Sequence, residues 1–536
     1  MARERPRARP QGFADRRVTT RAILAAFLVT LCHSLAAADT LADVRSRGEL
    51  VWGADQEGGG PYVFPRDDDP EHVTGFEVEL ADRLAAFLGV KARFFQGQWD
   101  KMPELLHTKK VDVVLNGYEW TRERLAAMDA TIPYFVYGLQ LLARKDDSTL
   151  ADAADLAKPS TGRKRKIGVL TGSAAETYAR EHFAPGAEIV SYDGNTDTLR
   201  EVETGKLDAT IEDTPIAIFY GPRFPAVRPI GAPFGHGYYV VYVRKGEAAL
   251  VAALDQALIA IVRSGELERL YRRWGLWSDA QQELARIAET GRFYGFDAAV
   301  GAKVDPAMPA TFAALRFERP HGWDVVRRYG IVLLESAGMT VILSVLSFPL
   351  AITAGLLIAL GRLYGPPWLR PILTGYVEFL RGTPLMLQLY FIFFFLPEIG
   401  IDVPAFWTAI FGLAVNYSAY ESEIYRAGLQ AVAPGQMEAA LSLGMSQALA
   451  LRRIVVPQAV RIVIPPVVND FIALFKDTSV CSVVTIVELT KRFSVLSQST
   501  QATVELMVLT AILYLLMSTP LTLVSRTLER RLEGAA

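Results

Sequence analysis

Residues Ser336–Gly361, SAGMTVILSVLSFPLAITAGLLIALG, run for 26 positions without a charged side chain, and this stretch divides the chain into two kinds of sequence. A helix rises about 1.5 Å per residue, so the run is long enough to cross a hydrocarbon layer about 30 Å thick. Downstream, Leu506–Ser525 is uncharged for 20 residues and Val403–Tyr420 for 18. Ile372–Leu396 and Ile462–Val487 are also apolar, but Glu378 and Arg381 interrupt the first, and Asp470, Lys476 and Asp477 the second. Five spans are therefore expected within residues 329–531, as an all-α transmembrane domain. Residues 40–325 read instead as an ordinary soluble mix.

The upstream half alternates short apolar strands with helical stretches. Leu50–Ala54, Ala92–Phe95, Val111–Asn116, Lys166–Leu170, Ile189–Tyr192 and Leu207–Ile211 have the composition of strands, and Gly75–Leu88 that of an amphipathic helix. Such alternation predicts an α/β fold with helices on both faces of a sheet. Longer strand-like runs at Pro133–Arg144 and Phe234–Arg244 predict two crossings joining two lobes around a cleft. Leu250–Trp274 closes this domain as helix. Residues 278–328, with Pro306, Pro309 and Pro320, read as a linker holding one helix at Asp279–Thr290.

Arg3, Arg5, Arg7, Arg9, Arg16, Arg17 and Arg21 precede an apolar stretch from Ala22 to Leu35 and the small residues Ala36, Ala37 and Ala38. That order is the one expected of a secretory signal peptide over residues 1–38. Residues 39–277 are then exported, and the first span runs from outside to inside. With five spans, the loops around Arg362 and Arg370, around Arg452, Arg453 and Arg461, and the tail Arg526, Arg530 and Arg531 fall inside. The Pro397–Pro404 loop falls outside, as the excess of basic residues on the cytoplasmic side requires. Arg327, Arg328, Lys491 and Arg492 go against that rule. The chain has two cysteines, Cys32 and Cys481, so no disulfide holds the exported part together. A net charge of −2 gives no reason to expect nucleic acid as a partner.

Gly75-Phe76-Glu77-Val78-Glu79-Leu80-Ala81-Asp82-Arg83-Leu84 resembles the signature of the periplasmic solute-binding proteins that serve polar amino acids. The resemblance continues through Lys110-Val111-Asp112, Thr121-Arg122-Glu123-Arg124, Gly168–Ser173, Asp208–Asp213 and Phe234–Tyr238. It implies a bilobed fold closing over a zwitterion. Arg124 matches the arginine that grips the ligand carboxylate, Asp213 the acid that meets the ammonium, and Trp99 a stacking aromatic. Asp55 and Gly117 join the same expected set, and Gly172 and Ser173 open a helix whose N–H groups face the carboxylate. Three departures stand out. Glu119 replaces the usual Ser or Thr five residues before the arginine, Gly58-Gly59-Gly60 replaces an aromatic, and Ala174 and Ala175 remove polar contacts. Glu119 either supplies negative charge to the ligand, the reading favoured by the nearby Asp55 and Glu57, or pairs with Arg124. Asp55, Glu57, Glu119 and Asp213 together point to a cationic ligand.

Glu438-Ala439-Ala440, Gly444 and Ile454-Val455-Val456-Pro457 match, at full spacing, the EAA loop (434–461) of ABC importer permeases. In that family the loop is a helix, a glycine turn and a second helix that dock on a cytosolic ATPase. Glu378–Leu385 and Asn416–Gly428 resemble the polar-amino-acid subclass, as do Lys476-Asp477-Thr478-Ser479. The resemblance makes Gln388, Asn416, Glu421 and Lys476 candidates for the transport path, and Lys476 beside Asp477 reads equally as a pair neutralised within the bundle. It also implies two permease halves, here a homodimer in a bacterial inner membrane.

No Gly-x4-Gly-Lys-Ser/Thr loop is present, so the ATPase is expected to be a separate chain. The histidines form no metal-ligand cluster, and no catalytic residue or cofactor is expected. A ligand-gated channel would interrupt the two lobes with membrane segments, whereas here both lobes precede every span. A dehydratase, the enzymatic alternative for this fold, is argued against by the attached spans.

Overall fold

A computed structural model describes residues 40–158, 163–291, 293, 320–500 and 502–533. The signal peptide and most of the linker lie outside the described residues.

The N-terminal domain is built on two five-stranded sheets joined by crossing strands, with a small two-stranded sheet beside them. Strands β1 (Glu49–Ala54), β2 (Phe64–Pro65), β3 (Val73–Thr74), β4 (Lys91–Gln96), β5 (Val113–Val114) and β6 (Met128–Ala130) are followed by the long β7 (Phe135–Arg144). Then come β8 (Arg165–Leu170), β9 (Ala187–Tyr192), β10 (Ala209–Asp213), β11 (Val227–Tyr239) and β12 (Tyr242–Arg244). The first lobe is ordered β4-β1-β5-β12-β6 and the second β11-β7-β10-β8-β9. In each, a parallel core carries an antiparallel flank formed where the chain crosses between lobes. The central strands are apolar because helices cover both their faces: in β1 only Glu49 is not buried. The helix Phe76–Leu88 buries Phe76, Leu80, Ala81, Leu84, Ala85 and Leu88 as one stripe and ends at Gly89, left-handed at φ 78°. The hinge is tight, with Tyr134 N–H bonding Tyr239 O and Thr131 N–H bonding Val241 O, each at 3.0 Å.

The segment 279–291, read from the sequence as part of the linker, is packed onto this domain. Its helix Gln282–Thr290 buries Leu284, Ile287 and Ala288. Gln281 exchanges hydrogen bonds with the backbone of Val136, satisfying a buried strand position at the hinge.

In the C-terminal domain, Trp323–Tyr364, Gln447–Val484 and Thr503–Thr527 are long and apolar enough to cross a membrane. Ala405–Ala431, 27 residues long, packs along the first of these. Gly355 allows the close approach, since a Cβ there would lie 2.6 Å from the Cβ of Glu421. Within Trp323–Tyr364 the hydroxyl of Ser344 is satisfied by Thr340 O one turn back, at 2.9 Å. The expected span Ile372–Leu396 is broken. Leu369–Gly382 and Leu385–Ile399 bend by 108° at Thr383-Pro384, and Thr383 takes an extended conformation because the proline ring disfavours helix in the residue before it.

Candidate functional site

The cleft between the lobes holds a cavity lined by Asp55, Glu57, Tyr62, Trp99, Gly117, Glu119, Ser173, Asp193, Glu212 and Asp213, among others. All eight residues expected from the sequence lie in or beside this cleft, so strands distant in the chain deliver their C-terminal ends to one place. Asp55 follows β1, Glu119 follows β5, Gly172 and Ser173 follow β8, and Asp213 ends β10.

Asp55 organises the first lobe. One carboxylate oxygen accepts from Glu57 N–H at 3.0 Å and Gln96 Nε2 at 2.8 Å, and the other from Trp99 N–H at 3.1 Å. Burial raises its pKa above the usual carboxylate range. Gly117 N–H bonds the buried carboxylate of Glu77 at 2.8 Å, and a Cβ at 117 would press on the Tyr62 ring. Trp99 donates through Nε1 to Asn116 O at 3.1 Å. The Arg124 guanidinium lies over the Trp99 ring at 5.3 Å and over Tyr118 at 4.6 Å, so the predicted stacking aromatic meets this arginine.

Arg124 is engaged from two directions. It donates to the carboxylate of Glu119 and to Gly172 O at 3.1 Å, on the opposite lobe. The second oxygen of Glu119 accepts from Ala174 N–H at 2.9 Å. That N–H opens the helix Ala174–Phe183, which Ser173 caps by accepting from Glu176 N–H. A guanidinium and a helix N-terminus together make an anion site, and Glu119 fills it from within the chain. It bridges the lobes at the point where the sequence places a ligand carboxylate.

Asp213 does not cap the helix Thr214–Tyr220 that follows it. Its carboxylate instead accepts from the Tyr239 hydroxyl, which also shares a hydrogen bond with the hydroxyl of Tyr62 at 2.8 Å. Burial, and then the charge of Glu119, hold its pKa well above the usual range. Glu212 is pushed up to about 7 by burial. Tyr62, Tyr118 and Tyr239 escaped the sequence reading. Tyr62 lies just beyond Gly58-Gly59-Gly60 and supplies an aromatic wall where that stretch has none. Tyr239 reaches the site only because β11 crosses back at the hinge.

In the helical domain, Asn416 lines a second cavity with Arg381, Thr383, Tyr417, Asp470 and Asp477. Gln388 accepts from Asn416 at 3.1 Å and donates to Leu380 O and Thr383 O, satisfying carbonyls freed by the Pro384 break. Glu421 is fully buried against Gly355, and Asp477 accepts from Tyr417 at 2.7 Å. Lys476 is exposed and does not line this cavity.

Glu438, Ala439 and Ala440 sit on the helix Pro434–Ser442, and Gly444 turns the chain with φ 82° into Gln447–Ala450. Pro457 lies in the first turn of Val456–Asp477. Glu438, Ala439, Gly444 and Pro457 are exposed, and Leu443 is 84% exposed. Ala405–Ala431 separates this hairpin from the 397–404 loop by about 40 Å of helix. That loop touches the bilobed domain, where Asp402 pairs with Lys110 and Glu398 with His107.

Known proteins resemble both halves. Residues 51–276 match the model of bacterial extracellular solute-binding proteins, family 3, and residues 351–534 that of the binding-protein-dependent transport system inner membrane component. The L-cystine transport system permease protein TcyB of Bacillus subtilis is 34% identical over 213 residues, 39% of this chain and 91% of that protein. The L-cystine-binding protein TcyJ of Escherichia coli K12 is 30% identical over 233 residues, 43% of this chain and 84% of that protein. A crystal structure of the ancestral amino acid-binding protein AncCDT-1 aligns with 44% of this chain and 99% of its own, with 32% identity and a TM-score of 0.40. The chain therefore belongs to the amino-acid ABC transporters, joining in one polypeptide a family 3 solute-binding domain and an inner-membrane permease domain.

Proposed function

We propose that this chain is the binding and permease subunit of an importer for cationic polar amino acids. In this reading it works as a homodimer on two separate cytosolic ATPase subunits, with the binding domain on the periplasmic face. The observation that carries the cationic preference is the charge of the cleft. Asp55, Glu57, Asp193, Glu212 and Asp213 line it, Arg124 beside it is already paired with Glu119, and the cation on Glu57 is Lys491 of the permease domain. A second ammonium or guanidinium on the ligand answers that charge, while the α-carboxylate reaches Arg124 by displacing Glu119. Similarity to TcyJ and TcyB favours a second reading, with cystine as ligand.

Sidedness is supported by the loop charges. Arg452, Arg453 and Arg461 lie within the 434–461 hairpin, at the end of Ala405–Ala431 remote from the binding domain. The exposed Leu443 and Glu438 suit a docking surface for the ATPase. Calorimetry of the detergent-solubilised chain with L-arginine, L-lysine, L-glutamine and L-cystine tests the ligand class. Arginine or lysine should bind tightest, and tighter binding of glutamine or cystine would overturn the cationic preference. A purified complex holding a different permease chain in equal amount would sink the homodimer.

A further inference from the structure

The helix Leu489–Thr500 of the permease domain places Lys491, Ser494 and Gln498 on one face, and all three bond the same carboxylate. That carboxylate is Glu57, on the rim of the ligand cleft. Lys491 is 7% exposed, and Glu57 is linked directly to Asp55 through its own N–H. Asp55 and Asp100 add to the negative field around the ammonium. Gln498 stands between the lobes. A Cβ on Gly58 of the first lobe would come within 2.5 Å of its side-chain oxygen, and a Cβ on Gly194 of the second within 3.0 Å. Arg223, also of the second lobe, donates to Ser499 O at 2.6 Å. The helix thus covers the mouth of the cleft and contacts both lobes.

We propose that Lys491 is an in-chain competitor for the cationic group of the ligand. With the helix seated over the cleft, its ammonium occupies Glu57 and faces Asp55, and a cationic ligand in the cleft is displaced from these acids toward the permease. This rests on the cationic reading given above. A buried lysine needs an anionic partner, and the acids that would hold a ligand cation are the ones that hold Lys491. Two cations sharing these carboxylates at close range repel, because the site is shielded from water. A salt bridge serving only to dock the domains would not discriminate between ligands by charge.

Calorimetry on the full-length chain in detergent, wild type and Lys491→Gln, with L-arginine and L-glutamine as probes, tests this. Lys491→Gln should tighten arginine about tenfold and change glutamine less than about twofold. Unchanged arginine affinity, or equal tightening of both probes, would overturn the proposal. A second measurement needs no ligand: labelling of Lys491 by an amine-directed reagent, read by mass spectrometry. Labelling should rise several-fold in Glu57→Gln relative to wild type, and equal labelling would overturn the pairing itself. If neither probe binds either chain, the cationic amino-acid reading fails while the labelling still decides where Lys491 sits.

Discussion

Glu119 lies with one carboxylate oxygen on the guanidinium of Arg124 and the other 2.9 Å from the N–H of Ala174, on the opposite lobe. It therefore takes the anion site that an amino-acid ligand needs, and any α-carboxylate competes with it. Glu119→Ser should free both donors and tighten arginine and glutamine alike, by about tenfold each, which is about 1.4 kcal/mol. Titration calorimetry on the full chain checks this, and weaker binding of both would mean that Glu119 serves the ligand directly.

Arg124→Ala should do more than remove a ligand contact. Glu119 has 2% of its side chain exposed and would be left as a buried charge without its cation. A loss of about 3–5 kcal/mol in stability of the binding domain is expected at neutral pH. Chemical unfolding followed through the tryptophans reads it. In Arg124→Ala/Glu119→Gln the loss should largely disappear.

Glu77 predicts a pH slope. Burial raises its pKa to about 8, against hydrogen bonds from Tyr134 and Gly117 that favour the ionised form. The folded state keeps the proton where the unfolded state, with an ordinary glutamate pKa, has lost it. The stability this group contributes is therefore complete below about pH 4.5 and is lost as pH rises through about 8. Glu77→Gln should flatten the stability profile across that window, by up to about 1.4 kcal/mol per pH unit. Identical slopes for both proteins would show that Glu77 does not titrate there.

Gly444 is left-handed at φ 82° and exposed, with open space where a Cβ would stand. Gly444→Asp should cost about 1–2 kcal/mol locally and misalign the hairpin that carries Glu438 and Pro457. Ligand affinity should stay within about twofold of wild type, while uptake in cells falls at least tenfold. Normal uptake would remove the hairpin from the coupling path.

Gly355 tests the helical packing. An added methyl would stand 2.6 Å from the Cβ of Glu421 and 3.0 Å from Ser418 O, so Trp323–Tyr364 and Ala405–Ala431 must separate. Gly355→Ala should lower stability in detergent by about 1–3 kcal/mol. A thermal melt indistinguishable from wild type would mean that the two helices slide freely.

Much of this was legible locally. The apolar runs, the Phe76–Leu88 stripe, the strands of both lobes and the glycine turn at 444 follow from periodicities and conformational preferences acting over a few residues. The broken span is a partial case. Pro384 was visible, but its neighbours read as continuous apolar helix, and the bend depends on Gln388 reaching back to the carbonyls it frees. Lys491 and Arg492, which go against the charge rule expected from the sequence, sit beside Glu57 and Ser336.

The sequence alone pointed to two lobes, the helical membrane domain, eight of the residues in or beside the cleft and the two possible partners of Glu119. Only the tertiary structure decided which partner it takes. Glu119 and Arg124 are 5 residues apart, but the choice depends on Ala174, 55 residues from Glu119, arriving with an unpaired helix N–H. Glu57 meets Lys491 across 434 residues. Charges at such separations leave no periodic mark on the chain, because Coulomb attraction and desolvation depend on distance in space and on burial, and both exist only once the lobes and helices have packed.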